Sequence, residues 1–376
     1  MNATPILSLC IPSYQKARWL DYGLGIALEQ AKELNGLVEI VVSDNASEDE
    51  TPAVLEKYKT LYGDLLIVHR NSTNIGLISN CKKVVELAHG RYCWIIGNND
   101  VLESNALNFA VQALQKNSQI SYFFCNYSYF RQKETPQGTP ELKKNSAPIA
   151  KDLSSHPVGK IRDLVHLDCG VFTPLYSSIM LREHWLQAME TYLKGTDPFS
   201  SVASSVPHAL YVIEHLLEQP GYYIGNPLLK VSDVISWDAH FPYYELCCLP
   251  TLYQLLEQKG MDPEIFKKHR QTILSCSGNC FLAAIKTPDL LKKHEFSLVF
   301  YIAQNWKTAF FWQIVGESVR FFWEAPLRNF REITHCPNWG EICLFTKKII
   351  TEKHYNTLKK IKNHLFGKKN LPTGTQ

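Results

Sequence analysis

Strand-length apolar runs alternate with amphipathic helical stretches through the first 130 residues, and this rhythm limits the chain to few architectures. Apolar runs at 6–11, 38–42, 65–68 and 92–96 read as strands, the last of them buried. Between and after them, stretches at 18–34, 51–61, 77–88 and 103–115 read as helices. Thr51-Pro52 supplies a cap followed by proline at the first helical position, and Gly90 stops the third helix. Strands alternating with helices predict a mostly parallel sheet covered by helices, with function at the carboxyl ends of the strands.

The remainder of the chain is less regular. Between 131 and 155 it turns polar, with Pro136, Gly138, Pro140 and Pro148 beside Lys143-Lys144, so a surface loop is expected. A strand is expected over 171–181 and a long helix over 200–217. Beyond about 240 the pattern is chiefly helical, at 243–259, 263–285, 288–303, 306–324 and 341–365. The expected organisation is a domain over 1–240, with halves at 1–130 and 131–240, then a helical region over 241–366 and a disordered tail over 367–376.

Composition excludes several classes. The 39 basic and 36 acidic residues leave a net charge of +3, too balanced for a general nucleic-acid binder. Eleven cysteines include no CxxC pair, and Cys10, Cys81, Cys93 and Cys125 sit in apolar runs where a reduced thiol packs as a small hydrophobe, which suits the cytosol. The first residues show no export signal. Gln304, Asn305, Lys307 and Gln313 interrupt the most hydrophobic stretch, 296–323, so a spanning helix is not expected.

Four strand ends carry short polar groups that a parallel sheet would bring to one edge. After the first stands Pro12-Ser13-Tyr14-Gln15-Lys16, where an aromatic ring can stack on a flat base and turn amides can meet phosphate. After the second stands Asp44 in Ser43-Asp44-Asn45, whose carboxylate suits the imide N–H of uracil or thymine. After the third comes Arg70-Asn71-Ser72-Thr73-Asn74-Ile75-Gly76, a turn into a helix where amides and an arginine favour an anion. After the fourth comes Gly97-Asn98-Asn99-Asp100, where a divalent ion would bridge a diphosphate. Asp44 and the 74–76 turn also have plain readings as an Asx-turn and a loop, and Arg70 has Asp44 or Asp49 as local partners.

Taken in order and at this spacing, the four motifs resemble the large family-two glycosyltransferases of GT-A fold that build bacterial surface polysaccharides. The resemblance runs from about Ile6 to Leu114 and more weakly to about 220. It implies an αβα nucleotide-binding sandwich, here with a largely helical C-terminal extension. It also implies a nucleoside diphosphate sugar as donor, UDP or dTDP favoured, and a glycan or lipid-linked acceptor. Pro12, Ser13, Tyr14 and Asp44 would then hold the nucleoside, and Arg70, Asn74, Gly76, Asn98 and Asn99 would line the rest of the donor site. An Asp-x-Asp motif would hold Mg²⁺ or Mn²⁺. Here two of the triplet's three usual carboxylates are amides, so Asp100, helped by Asn98, is the expected ligand and binding should be weak. A non-catalytic sugar-nucleotide or glycan-binding module is the alternative reading.

An inverting transferase also needs a carboxylate to take the acceptor's proton. Asp168, Glu183, Asp197 and Glu214 are candidates, Asp197 and Asp168 foremost. His208 and His215 read as packed rather than metal-bound. Aromatic residues between Phe296 and Trp323 read first as helix core, yet the lysines at 347–369 make a peripheral contact with the inner face of a cytoplasmic membrane a second expectation.

Overall fold

A computed structural model of the protein describes residues 4–271 other than 136–137, 144–145, 169, 194–200, 235–239 and 268, together with Trp312. Two compact units divide the chain at 273/274, and the first is described below. The expected helices from 288 onward, the tail, the 296–323 aromatic segment apart from Trp312, its basic neighbours, and Asp197 lie outside the described residues.

The first half follows its sequence pattern closely. Strands β1 (Leu7–Ser13) and β2 (Val38–Asp44) are buried at all seven positions, as parallel strands covered on both faces must be. Helix α1 (Ala17–Lys32) turns Leu20, Leu24, Ala27, Leu28 and Ala31 into the core at helical spacing. Next come α2 (Thr51–Tyr62), β3 (Leu66–Arg70) and α3 (Leu77–Leu87), then β4 (Tyr92–Ile95), a short β5 (Val101–Leu102) and α4 (Ala106–Lys116). Gly76 precedes α3 with φ 83°, a conformation that a side chain would strain.

Strands β3-β2-β1-β4 form one parallel block. The chain runs outward from β1 to β3 and then returns to lay β4 on the other side of β1. The order therefore reverses between β1 and β4, and the carboxyl ends at such a reversal are where α/β sheets generally take ligands.

The second half departs from expectation. The sheet is mixed: β9 (Ser178–Leu181) runs antiparallel between β4 and β6, so the order continues β4-β9-β6-β10-β5. Strand β6 (Tyr122–Glu134) and strand β10 (Gly221–Ser232) pair in parallel over long stretches, with a bulge between Ile224 and Leu229. The loop expected over 131–155 is partly strand, because β6 continues to Glu134 and pairs with β7 (Pro140–Lys143); β8 (His156–Val158) lies along β10. The strand expected over 171–181 begins only at Ser178, since Val171 (φ 49°) and Phe172 (φ 65°) are left-handed. Helix α5 (Arg182–Tyr192) follows β9. The expected helix over 200–217 breaks at Val206 (φ −136°), the residue before Pro207, which proline drives out of the helical region. Pro207–Tyr211 then continues as a π-turn, Val212–Leu216, and a second π-turn, Tyr244–Cys248, precedes the helix Leu249–Gln258.

The core on the sheet is aromatic and wired by hydrogen bonds. Trp94 is fully buried and its indole N–H donates to Tyr176 O (2.7 Å), while Trp185 on α5 donates to Cys93 O (3.0 Å). Each indole thus keeps its polar atom satisfied while burying a large apolar surface. The cysteines at 10, 81, 93 and 125 are free and buried, as their apolar surroundings suggest. No helix among the described residues is long and apolar enough to cross a membrane.

Candidate functional site

Sheet register sets three of the singled-out residues in one row. Ser13 ends β1 opposite Asp44 on β2, and Asp44 lies opposite Arg70 on β3. Beyond Ser13 the chain turns sharply, with Gln15 (φ 59°) and Lys16 (φ 69°) both left-handed. Such a turn is costly for residues with side chains and persists only when its surroundings enforce it. Three bonds do so: Gln15 N–H donates to Ser47 Oγ (2.8 Å), Ala17 N–H to Asp49 Oδ2 (2.9 Å), and Asn98 Nδ2 to Gln15 O (2.9 Å). Tyr14, at the apex, is 43% exposed and Pro12 is buried below it.

The Asp44 carboxylate is placed differently from the expectation that it meets a base. It is 0% exposed, with Oδ1 accepting from Ser47 N (3.0 Å) and Oδ2 from Arg70 Nη1 (2.5 Å). Arg70 Nη2 donates to Ser47 O (2.8 Å), yet its side chain stays 46% exposed. The guanidinium is therefore the outward group, and Asp44 stands behind it as counter-ion.

Beside this pair lies an amide network, buried at Asn45, Asn71 and Asn80, that single motifs did not reveal. Asn45 Oδ1 accepts from Ile75 N (2.9 Å) and Asn71 Nδ2 (3.1 Å), and Asn45 Nδ2 donates to Asn74 Oδ1 (2.7 Å). Asn74 Oδ1 also accepts from Gly76 N (2.9 Å), while Asn80 on α3 joins Ser43 and Asn71. Each amide bonds another, so the 71–76 turn is fixed against the end of β2. The signal in the sequence was the density of asparagines, which reads as turn chemistry until the fold assembles them.

The 97–100 turn closes the row. Asn98 Nδ2 donates to Gln15 O, to Ser13 Oγ (3.2 Å) and to Tyr14 O (3.4 Å), which ties β4's end to β1's. Asn99 Nδ2 donates to Val234 O (3.0 Å) and to Gln132 Oε1 (3.3 Å), which also accepts from Ser232 Oγ. Asp100 turns inward: Oδ2 accepts from Gly97 N (2.9 Å), Oδ1 from Ser232 N (3.0 Å), and the residue is 6% exposed. Burial pushes its carboxyl up to about 6, against those two amides. The expected principal metal ligand thus serves to join β4's end to β10. Divalent ions prefer ionised oxygens, and with both Asp100 oxygens held by backbone amides this triplet leaves a ligand only the neutral amide oxygens of Asn98 and Asn99, so the residues fit such an ion poorly. No cluster of three acidic, histidine or cysteine side chains among the described residues is arranged for a metal.

Asp168 follows the 3-10 segment Ile161–Leu167 and is buried. Oδ1 accepts from Gly170 N (2.9 Å), whereas Oδ2 has no hydrogen-bond partner, and neither has the buried hydroxyl of Tyr127. Burial raises the carboxyl above the usual range; Gly170 N–H and the nearby Tyr127 hydroxyl, which falls short of a formed hydrogen bond, act the other way. The left-handed Val171 and Phe172 stand beside it, and such strain in branched and bulky residues is a mark of functional turns. The Tyr129 and Tyr176 hydroxyls lie 3.3 Å apart and are raised chiefly by burial, but both also feel the charges of Asp168 and Asp100. This tyrosine pair is therefore within electrostatic reach of both the triplet's turn and Asp168. Tyr127, Tyr129 and Tyr176 were not anticipated; the aromatic run 122–130 was the signal for the first two.

The other acids fall elsewhere. Glu214 accepts from Tyr192 Oη, and Glu183 lies in the first turn of α5. His208 is buried, bonded through Nε2 to Thr173 O (2.8 Å) and packed at a tilt against Trp185, and burial lowers it to about 4. Glu245, on the second π-turn, is raised to about 7 by burial alone. Between the ordinary 4.5 and 7 the folded protein holds a proton there that the unfolded chain has released, so stability falls as pH rises through that window. Glu245→Gln should remove this part of the pH dependence, leaving a flatter curve when thermal unfolding is followed from about pH 4 to about pH 8, which brackets both carboxyl values.

A model of glycosyl transferase family 2 matches residues 8–171, the stretch that carries all four strand ends and Asp168. The abequosyltransferase RfbV of Salmonella typhimurium is 29% identical over 234 residues, covering 60% of this chain and 66% of that protein. An uncharacterized glycosyltransferase of Mycoplasma pneumoniae is 23% identical over 128 residues, covering 34% of this chain and 42% of that one. The chain thus spans just under two thirds of the first relative and less than half of the second. Among solved structures, S. aureus TarS 1–349 aligns with a TM-score of 0.46 and 12% identity over 83% of this chain and 88% of its own. The mannosyltransferase PcManGT from Pyrobaculum calidifontis, in complex with GDP-Man and Mn²⁺, aligns with a TM-score of 0.46 and 14% identity over 86% and 88%.

Proposed function

We propose, from the premise that residues 8–171 are a glycosyl transferase family 2 domain, that the chain moves one sugar from a nucleoside diphosphate sugar to a glycan or lipid-linked acceptor in bacterial surface polysaccharide synthesis. One observation carries the reading: the turns after β1, β2, β3 and β4 are hydrogen-bonded into a single edge beside the point where strand order reverses. The carboxyl edge at such a reversal is where α/β sheets take nucleotides.

In this reading the exposed Tyr14 ring stacks on the base and Arg70 offers its guanidinium to a base oxygen. Uracil and thymine carry two such oxygens, which supports UDP or dTDP as donor. The fixed 74–76 turn presents backbone toward the sugar diphosphate. Asp168 is the general base: its unpartnered oxygen can accept a hydrogen bond from an acceptor hydroxyl and take its proton as the new glycosidic bond forms and the nucleoside diphosphate leaves. A buried carboxyl raised by its surroundings, with one oxygen left without a formed hydrogen bond beside the Tyr127 hydroxyl, supports turnover over a mere binding module, which has no use for a base. Contact of the basic 347–369 segment with a membrane would bring a lipid-linked acceptor near.

A panel of UDP-, dTDP-, GDP- and CDP-sugars tests the donor assignment by thermal shift, because a ligand bound only by the native state raises its stability. A uridine or thymidine donor should raise the midpoint most, and Arg70→Ala should shrink that shift. A panel without any response, with no nucleoside diphosphate released on long incubation, would remove the reading.

A further inference from the structure

Resting on the donor-site reading above, we propose that this site holds the diphosphate sugar without a divalent cation of its own. Asn98 and Asn99 occupy the positions where a carboxylate-bearing turn would face the diphosphate, and hydrogen bonds fix how their amides point. Two of the three acceptors of Asn98 Nδ2 are backbone carbonyls, Gln15 O and Tyr14 O, which can only accept; the NH₂ end must face them. Asn99 Nδ2 is fixed in the same way by Val234 O. What remains for a ligand on each side chain is a carbonyl oxygen without charge. The one acid of the turn, Asp100, has both oxygens on backbone amides, and a Cβ on Gly97 would come within 2.8 Å of Asp100 Oδ2, so the carboxylate is pressed onto the turn itself.

Electrostatics give this arrangement a direction. Two carboxylates facing a diphosphate repel it, and a divalent ion between them turns repulsion into a bridge. Removing both charges removes the bridge and, equally, the repulsion that made it necessary. Neutral amides also bind Mg²⁺ and Mn²⁺ weakly beside water, which these ions release reluctantly. Substituting both acids therefore does more than weaken a metal site: the diphosphate meets a neutral turn.

Calorimetric titration of UDP, dTDP and GDP into the full chain, once in chelator and once in excess Mn²⁺, tests this. The tightest nucleotide should bind with less than about a threefold change between the two conditions, well under one decade of affinity. The Asn98→Asp/Asn99→Asp double variant should bind it at least about tenfold more weakly in chelator and recover in Mn²⁺, as restored charges repel and then bridge. Wild-type affinity that rises tenfold or more with Mn²⁺ would overturn the inference and leave the donor assignment standing. A double variant as indifferent to Mn²⁺ as the wild type would overturn it too, by showing that the turn does not face the diphosphate. Absence of binding by every nucleotide in both conditions would sink the inference together with the donor assignment.

Discussion

Asp168→Asn should lower turnover by roughly 10²–10⁴-fold, the usual contribution of general base catalysis, while nucleotide affinity stays within about twofold. The substitution is nearly isosteric, and its amide oxygen can keep the bond from Gly170 N that holds the turn. Only the basic oxygen is lost. The pH profile gives a reading that a structural role would not move. The base must be ionised to work, and burial raises its carboxyl, so the acid limb of kcat should lie above the ordinary carboxylate range. Activity is then lost as pH falls through that raised value. Residual activity in Asp168→Asn should lack this limb. If the variant instead kept its rate and lost thermal stability, Asp168 would be a buried turn anchor, and Asp197, the other expected base, would take its place.

The parallel half of the sheet was legible because each strand there is covered on both faces, so its sequence is an unbroken apolar run bounded by helices. Strands β6 and β10 were not. Asn126, Ser128, Asn226 and Lys230 interrupt their apolar pattern, and the register of β10 shifts between Ile224 and Leu229, a stretch that contains Pro227, so neither shows clean alternation. The strand expected from 171 failed for a different reason: Val and Phe favour strands in general, but here the turn anchored by Asp168 overrides them. At the site, sequence order sufficed to bring Ser13, Asp44, Arg70, Asn74 and Asn98 to one edge. It could not tell which member of a pair faces outward. Asp44 and Asp100 look like exposed loop acids in the sequence, and only the strands beside them reveal that both are buried against backbone amides.

Asp44→Asn should therefore act on stability first and on nucleotide choice second. Breaking a fully buried ion pair from one side costs about 3–5 kcal/mol, because the surviving charge is stranded. Here the survivor is Arg70, half exposed and able to hydrate, so about 2–3 kcal/mol is the better expectation. In a unit of this size that is a fall of about 5–10 °C in melting temperature. The amide cannot serve both neighbours: whichever end carries NH₂ must face either Ser47 N or Arg70 Nη1, a donor against a donor. Arg70→Ala removes the outward group itself, so nucleotide affinity should drop about 10–100-fold, the worth of one hydrogen bond to a charged group. A double-mutant cycle on melting temperature joins the two results, and the pair of substitutions together should be scarcely less stable than Asp44→Asn alone, since each breaks the same bond. An Asp44→Asn protein that melts like the wild type but no longer distinguishes UDP from GDP would mean that Asp44 turns outward to touch the base directly.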